Sequence, residues 1–382
     1  MSWKNVELGN LCDVLDNKRK PITKRNRTEG EFPYYGATGI VDYVGDFIFD
    51  EKLVLIGEDG AKWDSGESTA FIADGKYWVN NHAHVIKPNR ELLIDEWIVY
   101  YFYYKDLKEF VTGLTVPKLN QGQLRTIPIP LPSLKIQKEI VSKLDAIFAE
   151  IDKATAAAEA NANNAEALFQ SYLTEVFERG GVGFVSSTIG DICTLRSGTT
   201  VSQSLEKTEG ELPYLKVADM NLSFNKNSIT TSSRFLDKKN ISSNSIIRKG
   251  STIFPKRGGA IDTNKKRITD IDVALDLNIM SVYPSENLNQ YLLYFFFLSL
   301  DMKKLGSGAS IRQINNYDIE PLIIIFPKNH DEQIKLVNVI SNLKIQSEKL
   351  LSNYKNKKSE LFLMRQSILK QAFNGELVKE SR

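Results

Sequence analysis

Ile136-Gln137-Lys138-Glu139-Ile140-Val141 is matched, 196 positions later, by Glu332-Gln333-Ile334-Lys335-Leu336-Val337. The same offset joins Gln170-Ser171 to Gln366-Ser367 and Phe177 to Phe373. No insertion separates the two copies anywhere between these points. Loops absorb insertions, whereas one added residue in a helix turns everything after it by about 100°. An unbroken register therefore predicts one rigid helix in each half. Apolar positions agree, stepping by fours and threes through Ile140, Leu144, Ile147, Ile151, Ala154, Ala158, Asn161, Ala165, Leu168 and Tyr172. Leu336, Ile340, Leu343, Ser347, Leu350, Tyr354, Lys357, Leu361, Met364 and Ile368 repeat the pattern. These are coiled-coil seams. Asn329 with Glu332 three residues on marks the second start, and Pro132-Ser133 precedes the first. Gly180-Gly181 and Gly375 mark the stops. Each helix of about 45 residues is about 65 Å long. Such a helix needs a partner for its stripe. The other copy supplies one in antiparallel sense, with small Ala154 and Ala158 near bulky Leu350 and Tyr354; a helix of another subunit is the alternative. Asn161 and Lys357 in the seam would fix register at a cost in stability.

Outward from the helices the duplication continues. Leu8-Gly9-Asn10-Leu11-Cys12 and Glu29-Gly30-Glu31-Phe32-Pro33-Tyr34-Tyr35 recur as Ile189-Gly190-Asp191-Ile192-Cys193 and Glu209-Gly210-Glu211-Leu212-Pro213-Tyr214-Leu215. Residues 112–120 parallel 307–315, and each is followed by an extended apolar stretch, Ile127-Pro128-Ile129-Pro130 and Leu322-Ile323-Ile324-Ile325-Phe326. Alternate prolines suit an edge strand. Leu53-Val54-Leu55-Ile56 and Ser251-Thr252-Ile253-Phe254 read as strands running into glycine-bearing loops. The aromatic runs beginning at Trp97 and Tyr291 read as buried helices. The expected fold is α+β: two pseudo-repeated mixed α/β modules joined by two long antiparallel coiled-coil helices. Its parts are a first module over 1–133, a central helix over 134–179, a second module over 180–329 and a C-terminal helix over 330–382. Two similar surfaces held at a set distance suit a bipartite reader, which an enzyme with one active site has no need to be.

At 382 residues the chain can hold two or three cored domains. No apolar run is long enough to span a membrane, and the start Met1-Ser2-Trp3-Lys4 has no signal-peptide core. Cys12 and Cys193, the only cysteines, occupy equivalent places in the repeat and so read as free thiols, which points to a reducing cytoplasm. The net charge of +2 hides local clusters. One is the run holding Lys18, Arg19, Lys20, Lys24, Arg25 and Arg27. Lys256 and Arg257, followed by Lys265, Lys266 and Arg267, make a second. The segment from 139 to 178 is acid-rich and offsets them.

No catalytic constellation emerges. There is no Asp/Asn-Pro-Pro-Tyr tetrapeptide of an amino-methyltransferase. Gly306-Ser307-Gly308 lacks the flanking strand and helix of a dinucleotide site, and residues 57–62 have the wrong spacing for a phosphate-binding Walker loop. His82 and His84 lack the cysteine or carboxylate companions of a metal site and read as a packed or hydrogen-bonded pair. What remains are loops of nucleic-acid-reading composition. Gly57 to Lys62 and Lys256 to Gly259 hold similar places, and glycine admits a phosphate while Lys and Arg supply charge. Arg312 and Gln313, matching Pro117 and Lys118, could meet guanine and adenine respectively. The bland alternative is that these loops only turn between strands.

Leu131-Pro132-Ser133-Leu134, Gln137, Ile140-Val141 and Leu144 resemble the conserved helical region of type I restriction-modification specificity subunits, with one residue more between Leu134 and Gln137. The ending from Gln366 to Val378 resembles it too. Trp3-Lys4 with Leu8-Gly9, Pro33-Tyr34-Tyr35-Gly36-Ala37 and Asn80-Asn81-His82-Ala83-His84 look like that family's target-recognition domains. The second helix departs from the pattern, keeping only Pro327 before Asn329-His330-Asp331-Glu332. The resemblance implies that each module reads half of a split, asymmetric double-stranded DNA target. It implies that the helix pair sets the unread gap and docks two methyltransferase subunits, with translocase-nuclease subunits as further partners. This chain would then be non-catalytic and bind no cofactor; S-adenosylmethionine, ATP and Mg would belong to the partners. The rivals are a coiled-coil protein adaptor, and a methyltransferase or nuclease with an unrecognised site.

Overall fold

The computed structural model describes residues 3–113, 115–306 and 312–378. Leu114 and the residues from Ser307 to Ile311, hence Gly308 of the Gly-x-Gly run and part of the second 307–315 loop, lie outside the described residues, as does the end of the 330–382 segment. Four helices matter here: α1 (Asp95–Tyr104), α2 (Leu134–Arg179, 46 residues), α3 (Gln290–Ser299) and α4 (His330–Phe373, 44 residues). The long pair stands where the register predicts it. Asn329 Oδ1 accepts from the backbone N–H groups of Asp331 (2.8 Å) and Glu332 (3.3 Å), which caps α4. Gly180 (φ +62°) and Gly375 (φ +77°) end α2 and α4 in the left-handed region that glycine adopts freely.

The chain divides into two compact units, Met1–Ala160 with Tyr354–Arg382, and Asn161–Asn353. Each joins one module to part of both long helices. In the first unit, Asn5–Glu7 pairs antiparallel with Pro128–Pro130. One four-stranded sheet runs Cys12–Val14, Ala83–Pro88, Leu53–Gly57, Ala70–Ala73; a second runs Gly39–Val44, Phe32–Gly36, Lys76–Val79, Phe49–Asp50. In the second unit, Phe184–Thr188 pairs with Ile323–Pro327. A five-stranded sheet runs Cys193–Ser197, Ile279–Pro284, Thr252–Pro255, Arg267–Thr269, Ser228–Ile229, beside a three-stranded one of Phe235–Leu236, Leu212–Leu215, Ala274–Leu275. The repeat survives at the level of register: Cys12 opposes Pro88, and Cys193 opposes Pro284. Both thiols are free, and burial pushes each up to about 12, so neither is a poised nucleophile.

The repeated glutamines fasten each module to a helix. Gln137, wholly buried, accepts from Ile94 N–H (3.1 Å) and donates to the carbonyls of Leu92 (2.8 Å) and Pro132 (2.9 Å). Gln333, equally buried, accepts from Asn289 N–H (2.7 Å) and donates to the carbonyls of Asn287 (2.9 Å) and Pro327 (2.9 Å). Each amide thus binds the strand leading into its own helix and the turn that starts the module's aromatic helix, α1 or α3.

The far ends of the long helices close the other side. In the first unit Phe373 of α4 lies among Trp97, Tyr101 and Tyr104 of α1, with ring centroids 4.8, 5.2 and 5.4 Å away. In the second, Phe177 of α2 meets Phe296 of α3 at 5.5 Å. Each module therefore sits on the start of its own long helix and the end of the other. Within the first unit the helices are antiparallel: Asp152 pairs with Arg365, and Glu159, seven residues on, pairs with Lys358, seven residues back.

The seam departs from expectation in its second half. Ala158, Ala165, Leu173 and Phe177 are buried, but Asn161 is exposed and Leu168 is 72% exposed. A straight helix drifts by about 20° per heptad against a strict seven-residue repeat, and the stepping by fours and threes overran that drift. In α4, Leu350, Lys357 and Met364 are likewise exposed, while Leu369 and Ala372 are buried. Ala154 shares an open apolar groove with Ile147, Ile151, Leu361 and Met364, not with Leu350.

Gln137→Leu removes three hydrogen bonds and strands two carbonyls and one N–H in the core. It should destabilise the first unit by roughly 3 kcal/mol in urea unfolding. Gln333→Leu should do the same to the second unit. A change of less than about 0.5 kcal/mol in both would contradict the clamp.

Candidate nucleic-acid interface

One corner recurs in both modules with the same backbone. In the first, the loop after Leu53–Gly57 has Glu58 N–H donating to His82 O (2.9 Å) and Glu58 O accepting from Leu119 N–H (2.8 Å), while Asp59 bridges Lys118. In the second, the loop after Thr252–Pro255 has Lys256 N–H donating to Asn278 O (2.8 Å) and Lys256 O accepting from Ile314 N–H (2.9 Å), while Arg257 bridges Gln313. The structure thus brings together the two loops and the two tail segments that the sequence paired.

The side chains at this corner differ in sign. The first module places a balanced charge cluster there. Arg19 pairs with Glu58 and, at 3.3 Å, with Asp16, and donates to Ala83 O (2.8 Å). Lys118 pairs with Glu58 at 2.9 Å; that hydrogen bond holds its amine above the ordinary lysine value. Buried His84 is within hydrogen-bond distance of Asp16 through Nδ1 (2.6 Å) and of Leu119 O through Nε2 (2.7 Å). Burial works to raise the Asp16 carboxyl, but the hydrogen bond and charge of His84, the Val85 N–H and the Arg19 charge together hold it below the usual value. Exposed His82 pairs with Asp59. Donor atoms of Asp16, Glu58 and His84 lie within 4.8 Å of one another, a spacing a metal could use. Arg19 and Lys118 already occupy those carboxylates, so the geometry calls for no further cation.

The second module carries Lys256 and Arg257 where the first has Glu58 and Asp59. Lys256 is buried and donates to Ser197 Oγ (2.6 Å); burial first, and the Arg257 charge second, lower its amine pKa. Arg257 is exposed and donates through Nε to Gln313 Oε1 (3.1 Å), whose Nε2 donates to Asn315 Oδ1 (2.6 Å). Arg312 pairs with Asp262 at 2.7 Å. Sequence alone missed Asn315, whose role is visible only once the loops meet. It also missed Glu58 and Asp59, whose sign reversal against Lys256 and Arg257 could have been read from the aligned repeat.

The other basic residues divide into free and spent. Lys18, Lys20, Lys24 and Arg25 are exposed, with no side-chain hydrogen bond or ion pair among the described residues; the Lys24 charge does reach the Asp42 carboxylate. Lys62 is exposed beside Glu67 (3.4 Å). Arg27 is spent: it lies over the Tyr34 ring (4.4 Å), pairs with Asp42 (2.8 Å) and donates to Ile22 O (3.1 Å). Arg19 is equally occupied. The 265–267 part of the second basic cluster is mostly a fold element. Lys265 donates to Asn221, and Lys266, 2% exposed, donates to Asn264 Oδ1 (2.8 Å) and Leu300 O (2.7 Å). Arg267 donates to the carbonyls of Asn225 (2.8 Å), Lys266 (2.8 Å) and Met220 (3.3 Å). A strand start beside loops rich in unpaired carbonyls absorbs cations that a sequence shows only as charge.

Two modules with one frame and opposite corner chemistry, each fastened to a long helix pair, define a protein that presents two related but different recognition surfaces. The profile of the family described as "Type I restriction modification DNA specificity domain" matches residues 1–161 and again 181–357. The chain belongs to that family and carries its specificity domain twice. It is similar to a type I restriction enzyme specificity subunit of Haemophilus influenzae, 26% identical over 346 residues, 89% of this chain and 86% of that protein. It is also similar to the EcoDI specificity subunit of Escherichia coli, 26% identical over 159 residues, 41% of this chain and 33% of that protein. Its fold matches a chain from a structure of a type I R-M system (TM-score 0.77, 19% identity, 98% of both chains). It also matches the HsdS subunit from Thermoanaerobacter tengcongensis (TM-score 0.55, 19% identity, 98% of this chain and 97% of that one). The chain is thus a specificity subunit, the non-catalytic DNA-recognition component of a type I system. Among the described residues no helix is long and apolar enough to cross a membrane.

Lys266 gives a test of fold against surface. Burial pushes its amine down from 10.5 to about 8. Below pH 8 the amine is charged in folded and unfolded chains alike. Between pH 8 and 10.5 the unfolded chain holds a proton that the folded one has released, so stability rises with pH. Wild type should gain on Lys266→Met by at most about 3 kcal/mol across that window, read from urea midpoints. A pH-independent difference would show an amine that is not buried.

Proposed function

We propose that this subunit reads a split, asymmetric double-stranded DNA target, one half with each module. The observation that carries the reading is the duplicated corner: one backbone frame holds acidic Glu58 and Asp59 in the first module and basic Lys256 and Arg257, the latter exposed, in the second. Two copies of one reader with different side chains suit two different half-sites. The long helices set the unread gap between the halves and dock two methyltransferase subunits, with translocase-nuclease subunits joining them. Exposed apolar side chains on those helices support docking: Leu168 on α2, and Ile345, Phe362 and Leu363 (65% exposed) on α4. S-adenosylmethionine, ATP and Mg are bound by the partner subunits, and this chain holds none of them. The complex works in the cytoplasm.

Lys18, Lys20, Lys24 and Arg25 are the phosphate contacts of the first module, being exposed and making no side-chain hydrogen bond or ion pair among the described residues. Phosphate contacts release counterions, so affinity falls steeply with salt. Binding of the purified chain to duplex DNA, titrated from 50 to 200 mM salt, should show this. Lys24→Ala with Arg25→Ala should weaken binding to all sequences alike and lower the log–log salt slope by about 2. A protein adaptor would bind no duplex, and a variant that changed sequence preference would contradict the phosphate assignment.

A further inference from the structure

The duplication sorts positions by what they do. Gln137 and Gln333 share residue, burial and bonding pattern, as a frame requires. The corner keeps its backbone bonds yet reverses its charge, as a reading element requires when the two half-sites differ. Within the second module that corner is also pre-organised. Arg257 Nε is held by Gln313 Oε1 (3.1 Å), Gln313 Nε2 by Asn315 Oδ1 (2.6 Å), and Asn315 caps the short helix Asn316–Ile319 through a reciprocal bond with Asp318. The relay fixes the guanidinium plane while leaving both terminal amino groups of Arg257 without a partner among the described residues. The Lys256 amine donates to the neutral Ser197 hydroxyl (2.6 Å), and among the described residues no carboxylate pairs with Arg257. A forked pair of parallel N–H donors matches the O6 and N7 acceptors of guanine, which adenine cannot offer because its N6 is a donor. Arg312, by contrast, is already paired with Asp262 (2.7 Å).

We propose that Arg257 is a specificity-determining residue of the second module, reading one guanine through its two terminal amino groups, with Gln313 as the positioning residue that sets the plane of the fork. This rests on the function proposed above and names the base class read at that site. Both amide ends of Gln313 make a bond within the protein, which assigns it to orienting Arg257, whereas the sequence alone had suggested an adenine contact.

The test compares target motifs for wild type and variants, each assembled with the methyltransferase subunits and offered a library of duplexes with a randomised target, scoring which sequences gain methyladenine. Wild type should require guanine at one position of the half-site read by the second module. Arg257→Ala should make that one position degenerate, with roughly tenfold or more loss of discrimination, while the other half-site stays unchanged as an internal control for folding. Gln313→Leu should relax the same position without altering the salt slope. Gln313→Glu, which sets a competing carboxylate against the guanidinium and loses the N–H that Asn315 holds, should relax it as well. A motif that survives Arg257→Ala, with methylation lowered evenly over all sequences, overturns the inference alone. A wild-type complex that yields no motif overturns the proposed function and the inference with it.

Discussion

The structure depends on one buried amide made twice. A primary amide away from water is costly unless its donors and acceptor are met. Gln137 and Gln333 meet theirs with three backbone groups each, from two segments: the strand end before the long helix and the turn before the aromatic helix. A module so fastened cannot rotate on its helix without stranding those groups. The rings at the opposite ends, Phe373 against Trp97 and Phe177 against Phe296, close the second side by apolar contact. Polar bonds set orientation at one end, and burial of large rings supplies much of the stabilisation at the other.

That division explains why the frame is uniform while the corners diverge. A recognition surface borne on strands whose positions are fixed elsewhere can change residue type without altering the fold. Glu58 and Lys256 make the same two backbone bonds, and their side chains go to opposite kinds of partner, Arg19 and Lys118 in one case and Ser197 in the other.

The long helices and the duplication were legible in the sequence because they depend on register, and register is written in spacing. The constant offset from Gln137 to Phe177 sufficed to predict α2 and α4, and Asn329 with Glu332 placed the second start. The later seam was not legible: Leu168 fits the stepping pattern yet faces out, because small helical drifts add up over several turns. At the candidate interface, the pairing of loops was legible, while the fate of each cation was not. Arg19, Arg27, Lys266 and Arg267 look the same in sequence as Lys24 and Arg25. Only the fold shows that the first four are consumed by carbonyls, carboxylates and a tyrosine ring, whereas the last two make no side-chain hydrogen bond or ion pair among the described residues. Nor did the spacing of Gln313 and Arg257 reveal that one side chain would hold the other.

The central claim is that two different modules on one clamped frame read the two halves of a single split DNA target. The most direct measurement is a genome-wide map of N6-methyladenine in host cells with and without this gene. The account predicts that its loss abolishes one bipartite motif, methylated on both strands with an unread gap between dissimilar halves. An unchanged map in cells shown to express the methyltransferase subunits, or loss of a continuous or symmetric motif, would contradict it.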